Sequence, residues 1–268
     1  MSNTANNAEP TVIHAYGIVP GDVLLPEIRG LGGAAVGAMP LGDMAVLISR
    51  LRRYEYGAEV WQSHAEDPRW LGDVAAEHHL VLQTVLESAD VLPLRLPTLH
   101  SDEAALEDAL SGNIEQIITS LTRIRGCVEL GAKAYLVAKS RSDDLKQASM
   151  NGREYLARRK AQADLRESAR TRRHHEVIRA HVAMAAAADD ATTNRPQDPA
   201  LSGRPEPMVL NSAYLLHRDS IERFVEVAEE AAEELHSDGI ELEITGPWPP
   251  YNFVTEDVTC DDIEGGRR

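Results

Sequence analysis

Gly239-Ile-Glu-Leu-Glu-Ile-Thr-Gly-Pro-Trp-Pro-Pro-Tyr-Asn-Phe-Val254 is the stretch on which the fold turns. Its first seven residues alternate apolar and charged side chains, the period of a half-buried strand. The three prolines that follow fix φ and remove backbone donors, so 246–254 is neither a helix interior nor a central strand. This segment carries Trp248, Tyr251 and Phe253, three of the twelve aromatic residues in a chain that is 4% aromatic. A strand therefore leaves a sheet at Thr245 and enters a stiff aromatic turn. Two readings of that turn are open: a plug that closes a core, or a hydrophobic docking surface.

Upstream, Ile221, Phe224, Val225, Ala228, Ala231, Ala232 and Leu235 recur at helical spacing opposite Glu222, Glu226, Glu229, Glu230 and Glu233. Burial of Phe224 and Leu235 contributes roughly 1.5–3 kcal/mol each. Met208-Val-Leu-Asn-Ser-Ala-Tyr-Leu-Leu216 reads as the strand before that helix. Residues 189–207, with four prolines, read as a linker or long loop. An alanine-rich, proline-free helix is predicted over 152–188. Cys127 opens a strand that runs to about residue 138. From 127 onward the expected order is strand, long helix, strand, helix, strand, an α+β layer with its helices on one face.

The N-terminal half repeats the theme. Residues 11–19 and 44–49 read as strands, with a glycine-rich stretch over 30–37 between them. Residues 22–29 are the candidate for a first crossover helix. Asp67 or Asp73 starts a helix whose stripe is Leu71, Val74, Ala75, His78, Leu82 and Val85, with His78 expected as a core histidine. A short strand returns at 91–96. Ser101 with Asp102 and Glu103 opens a helix to about 110, and a helix over 113–125 is expected to carry Ile114, Ile117, Ile118 and Leu121 inward. The fold class is thus α+β: two domains, each a small mixed or antiparallel sheet with helices on one face, variants of the ferredoxin-like layer. The expected boundaries are a disordered 1–10, a domain over 11–110, a second over 111–255, and a flexible acidic tail over 256–268.

The net charge of −16 opposes nucleic-acid binding, which needs positive potential, and opposes adhesion to anionic lipid. Two cysteines supply neither a disulfide framework nor a zinc site. The polar, Asn-rich residues 1–10 lack the pattern of a secretory leader, and no apolar run approaches the roughly 20 residues of a membrane span, so a cytoplasmic location is expected. Gly30-Leu-Gly-Gly-Ala-Ala35 fits a loose dinucleotide pattern, but a strand rather than a helix follows it, and a flexible turn is the preferred reading. The adjacent His78 and His79 point apart on a helix, and His174, His175 and His181 miss the four-residue spacing of a metal pair. No nucleophile elbow or phosphate loop is present. Cofactors and metals are expected to be none, and the chain is not expected to be an enzyme. Residues 151–181 hold nine basic against four acidic side chains. That basic helix, with Arg158, Arg159, Arg172 and Arg173, is read either as a solvated face pairing with the glutamates of 222–234 or as a surface for an acidic partner.

Gly246-Pro-Trp-Pro-Pro-Tyr-Asn-Phe-Val254 resembles the signature of the gas vesicle accessory proteins GvpF and GvpL. The resemblance extends over most of 11–255. It runs through Tyr16-Gly-Ile-Val19, Leu92-Pro-Leu-Arg95, the set Gly126, Val128, Glu129, Gly131 and Lys133, then Gly152-Arg-Glu-Tyr-Leu156 and Asn211-Ser-Ala-Tyr-Leu215. Leu96 and Pro97 depart from the Phe-Gly usual in the family at that point. The resemblance implies a non-enzymatic, cytoplasmic, gas vesicle-associated protein that supports assembly by binding the hydrophobic GvpA-type wall protein, with other accessory proteins as further partners. Trp248, Tyr251, Phe253, Arg158, Arg159, Arg172 and Arg173 are the candidate partner-binding residues. The alternative is a small-ligand-binding regulatory module of the same fold, since fold does not fix function.

Overall fold

Tyr16 is one residue too many for its ladder, and the first sheet is built around that fact. The computed structural model describes residues 9–137 and 152–254. Strand β1 (Thr11–Pro20) pairs antiparallel with β3 (Met44–Arg52), and the register skips Tyr16 between Ala15↔Ile48 and Gly17↔Leu47. Such a bulge re-aims one side chain and increases local twist. β1 is buried on both faces, as its nearly unbroken apolar run requires. β2 (Val36–Leu41) covers the outer edge of β3, whereas β4 (Leu92–Pro93) and β5 (Leu99–His100) both pair with β1. The order is β2-β3-β1-β4.

Two short helices, α1 (Arg53–Tyr56) and α2 (Ala58–His64), come before the long α3 (Pro68–Leu86), and periodicity alone did not reveal them. Asp67, one of the two expected start residues, caps α3 by accepting the Arg69 and Trp70 N–H groups at 3.0 and 3.4 Å. Val74, His78, Leu82 and Val85 are buried along it, while Ala75 of the expected stripe is exposed. α3 comes so close to β1 that a side chain at Gly17 would meet Leu82 Cδ2 at 2.7 Å and the Leu92 carbonyl at 2.8 Å. α4 (Glu103–Ser111) is capped by Asp102 rather than Ser101, and α5 (Ile114–Arg123) completes the unit. The crossover helix expected over 22–29 does not form; Pro26 lies in the middle of the segment, where it removes a helical hydrogen bond, and a turn at Gly21–Asp22 precedes it.

The second sheet contains β6 (Cys127–Leu136), β7 (Asp190–Thr193), β8 (Met208–His217) and β9 (Ile240–Trp248) in the order β7-β8-β6-β9. Numbered along each unit, both sheets share one permutation, 4-1-3-2, that of an antiparallel ferredoxin-like layer. Helix α6 (Gly152–Ala186) makes the first crossover and α8 (Ile221–Ser237) the second. Phe224, Ala228, Ala231 and Leu235 of α8 join Val177, Ala180 and Met184 of α6 over Leu130, Ala132, Ala134, Leu210 and Tyr214 of the sheet. Val225, assigned to the same apolar face, is instead partly exposed.

The linker expected over 189–207 is largely ordered structure. It holds β7, the short α7 (Pro199–Ser202), and Arg204, whose guanidinium lies 4.2 Å from the Tyr135 ring centroid and forks onto Glu241 at 2.8 and 3.2 Å. The compact units divide after Val128 and again after Pro247, so 248–254 belongs with the first unit. The boundary expected at 110/111 thus differs from the observed one, because α5 and the returning aromatic segment pack within the first unit.

Candidate interaction surfaces

β9 is an edge strand, where prolines cost no ladder bond that a neighbour needs, and it runs past Thr245 to Trp248. Beyond it, Pro249 and Pro250 are buried and Tyr251–Phe253 forms a 3₁₀ turn. Phe253 is 4% exposed and Val254 is buried. The rings of Trp248 and Tyr251, both half-buried, lie with centroids 5.3 and 6.0 Å from that of His79 on α3. Burial lowers the His79 pKa, so its ring stays neutral against the two aromatics. Arg123, the last residue of α5, reaches the Phe253 carbonyl at 3.5 Å. The segment therefore ties together α3 and α5.

That tie bears on the apolar surface of α5. Only Ile117 of the four aliphatic residues expected inward is buried, with Ser120 and Ile124. Ile114, Ile118 and Leu121, at i, i+4 and i+7, form a second stripe on the outer side, with Ile118 51% exposed. Together with Pro20 at the end of β1 and Leu41 and Met44 at the β2–β3 hairpin, this stripe lines a groove of about 440 Å³. Asp43 and Arg125 lie at its polar rim, and Asp90 there accepts the Gly126 N–H at 3.0 Å. A groove of this kind suits an apolar helix or strand edge from a partner.

α6 spans about 50 Å at 1.5 Å per residue. Its C-terminal half packs in the core, and it is tied to the other helix by Arg179–Glu234 and to the residue after that helix by Arg172–Asp238, both at 2.8 Å. One of the glutamates of 222–234 is thus a partner, as the charge pattern suggests. Residues 155–168 are exposed on all sides, including Tyr155, Leu156 and Leu165. Arg158 and Arg159 lie on this exposed half, whereas Arg173 is half-buried near the sheet.

Two further features are structural. His78 Nε2 donates to the Leu94 carbonyl at 3.1 Å, so its Nδ1 accepts from His14 Nε2–H at 3.0 Å. Burial pushes His78 down to about 4, and burial together with the neighbouring His78 ring holds His14 well below the usual imidazole range. Both are neutral core groups near pH 7. The glycine-rich loop is pinned rather than flexible. Tyr16 Oη accepts the Leu31 N–H at 2.9 Å and donates to Ser49 Oγ at 3.0 Å, while Glu77 takes the Gly32 N–H at 2.8 Å. A Cβ on Gly30 would collide with the Tyr16 hydroxyl, which accounts for that glycine. Among the described residues no cluster of three or more His, Cys, Asp or Glu side chains is placed to hold a metal, and no helix is long and apolar enough to cross a membrane.

The sequence profile of the family described as gas vesicle synthesis protein GvpL/GvpF matches residues 12–255. The chain is 32% identical to gas vesicle protein L of Streptomyces sp. (strain CB03234), covering 92% of this chain and 95% of that protein. It is 24% identical to gas vesicle protein F of Haloferax mediterranei, with 94% and 98% covered. Among solved structures, GvpF from Anabaena sp. PCC7120 superposes with a TM-score of 0.67 at 16% identity, over 91% of this chain and 96% of that one. GvpF from Microcystis aeruginosa gives 0.65 at 18%, over 91% and 99%. These two structures share the fold.

Proposed function

Since the chain belongs to the GvpL/GvpF family of gas vesicle synthesis proteins, we propose that it acts in gas vesicle formation as a non-catalytic cytoplasmic accessory protein that holds the hydrophobic wall protein before and during assembly. The observation that supports this reading best is the outward stripe of Ile114, Ile118 and Leu121 facing an apolar groove. Exposed aliphatic side chains aligned on one helix face cost solubility unless something covers them. A groove of this lining would take an apolar stretch of a GvpA-type subunit and keep it from self-association. The −16 charge of the chain would keep the complex dispersed.

In this proposal Phe253, Trp248 and Tyr251 anchor the groove's helix and do not themselves grip the partner. Arg158 and Arg159, on the exposed half of α6, are offered to other accessory proteins of opposite charge. The test is light scattering by wall protein diluted from denaturant, with and without this chain, together with gas vesicle yield after deletion of its gene. Delayed aggregation and lost vesicles support the proposal. Unchanged aggregation, or normal vesicles after deletion, overturns it.

A further inference from the structure

Arg170, Arg173, His174 and Val177 fall at i, i+3, i+4 and i+7, one face of α6. Beneath that face the ends of three strands leave a pocket of about 310 Å³ floored by Leu136, Val177, Val209 and Ile240. The floor is aliphatic, and every polar side chain at the rim is a guanidinium or an imidazole. The neighbouring arginines of the same helix are paired, Arg172 with Asp238 and Arg179 with Glu176 and Glu234. Among the described residues, Arg170 and Arg173 have no carboxylate partner. In a chain with 43 acidic against 27 basic residues, two arginines that meet no carboxylate among the described residues make this apolar hollow locally electropositive.

We infer that this pocket is a second docking site, for a partner protein segment in which an aliphatic side chain is flanked by carboxylates. The aliphatic side chain would fill the hollow and exclude water, while the carboxylates meet the planar forks of Arg170 and Arg173, which match them two bonds at a time. A nucleic-acid backbone would leave the aliphatic floor uncovered. Arg170 and His174 are exposed at the rim and Arg173 is half-buried, so the occupant continues outward past the pocket, as a peptide segment does. The site lies in the second unit and does not depend on the wall-protein reading, whose groove is in the first.

The full-length chain is titrated into a fluorescein-labelled hexapeptide of alternating Glu and Leu, read by anisotropy. Matched peptides alternate Gln with Leu, or Glu with Ser. The Glu/Leu peptide is expected to bind at least about tenfold tighter than either control, since carboxylate and aliphatic contacts are both needed. Arg170→Gln with Arg173→Gln weakens binding about tenfold, and the exposed Arg170→Gln alone weakens it severalfold. Arg153→Gln with Lys160→Gln, the same change in charge at exposed positions of the same helix, leaves affinity unchanged. The inference fails if the Glu/Leu peptide does not bind, if either control binds equally well, or if the two double variants lose equal affinity. Displacement of the peptide by micromolar dodecanoate would reassign the pocket to a small amphiphile and also overturn it.

Discussion

The two units have the same strand order and complete it by opposite means. In the second unit the first crossover is α6, a 35-residue helix whose C-terminal half fills the core. In the first, no helix spans that crossover; a glycine-rich loop is pinned instead to the bulged Tyr16 and to Glu77. The first crossover is thus held by area in one unit and by a few placed hydrogen bonds in the other. Apolar burial is spread over many contacts and degrades gradually, whereas a polar pin depends on single atoms. The difference also decides what each unit exposes. The helix-rich unit leaves a basic helix with a cationic pocket, and the loop-pinned unit leaves the apolar groove of α5.

The comparison breaks most severely at Phe224, which is wholly buried between α8 and the sheet. Phe224→Ala is expected to cost about 4 kcal/mol of unfolding free energy, read by urea titration of helical circular dichroism. Trp61, Trp70 and Trp248 all lie in the first unit, so tryptophan fluorescence reports that unit separately.

Next comes acid. The unfolded chain protonates its histidines below about pH 6.5. The folded chain does not protonate His78 until about 4, and it also holds His14 lowered. Stability is therefore full above about pH 6.5 and falls as pH drops toward 4, by about 3 kcal/mol for His78. His78→Gln can donate to the Leu94 carbonyl and accept from His14, so it should flatten that fall, as measured by urea midpoints across pH. Tyr16→Phe removes the acceptor of the Leu31 N–H and should cost about 1–2 kcal/mol, seen as faster amide exchange at Leu31. Smallest is Arg172→Gln, which breaks the pair between the exposed Arg172 and the largely buried Asp238 carboxylate and should cost about 0.5–1 kcal/mol, near the limit of a thermal melt.

Much of this is legible in the sequence. Alternation in 239–245, the Asp67 cap, the α8 stripe and the proline-free run of α6 each follow from local periodicity or cap chemistry. What stayed hidden is long-range or ambiguous at short range. His14 and His78 lie 64 positions apart, and no local pattern pairs them. β7 is a four-residue edge strand without alternation, set in a proline-rich stretch, and its pairing comes only from β8. α5 shows where periodicity fails as a guide to burial. Spacings of three and four are both helical, so Ile117 and Ile118 both fit a stripe, and only tertiary packing selects the inner one. The candidate surfaces follow the same division: Arg173 and the aromatic segment were visible as residues, but the groove and the pocket are products of the fold.

The wall-protein reading is tested most directly by titrating a soluble fragment of the gas vesicle wall protein with the intact chain and with Ile118→Glu. Ile118 is half exposed, so the substitution should leave the melting temperature unchanged while placing a charge in the groove. The expected result is at least about tenfold weaker binding by the variant. Equal affinity for the two proteins, at equal stability, would contradict the assignment of the groove.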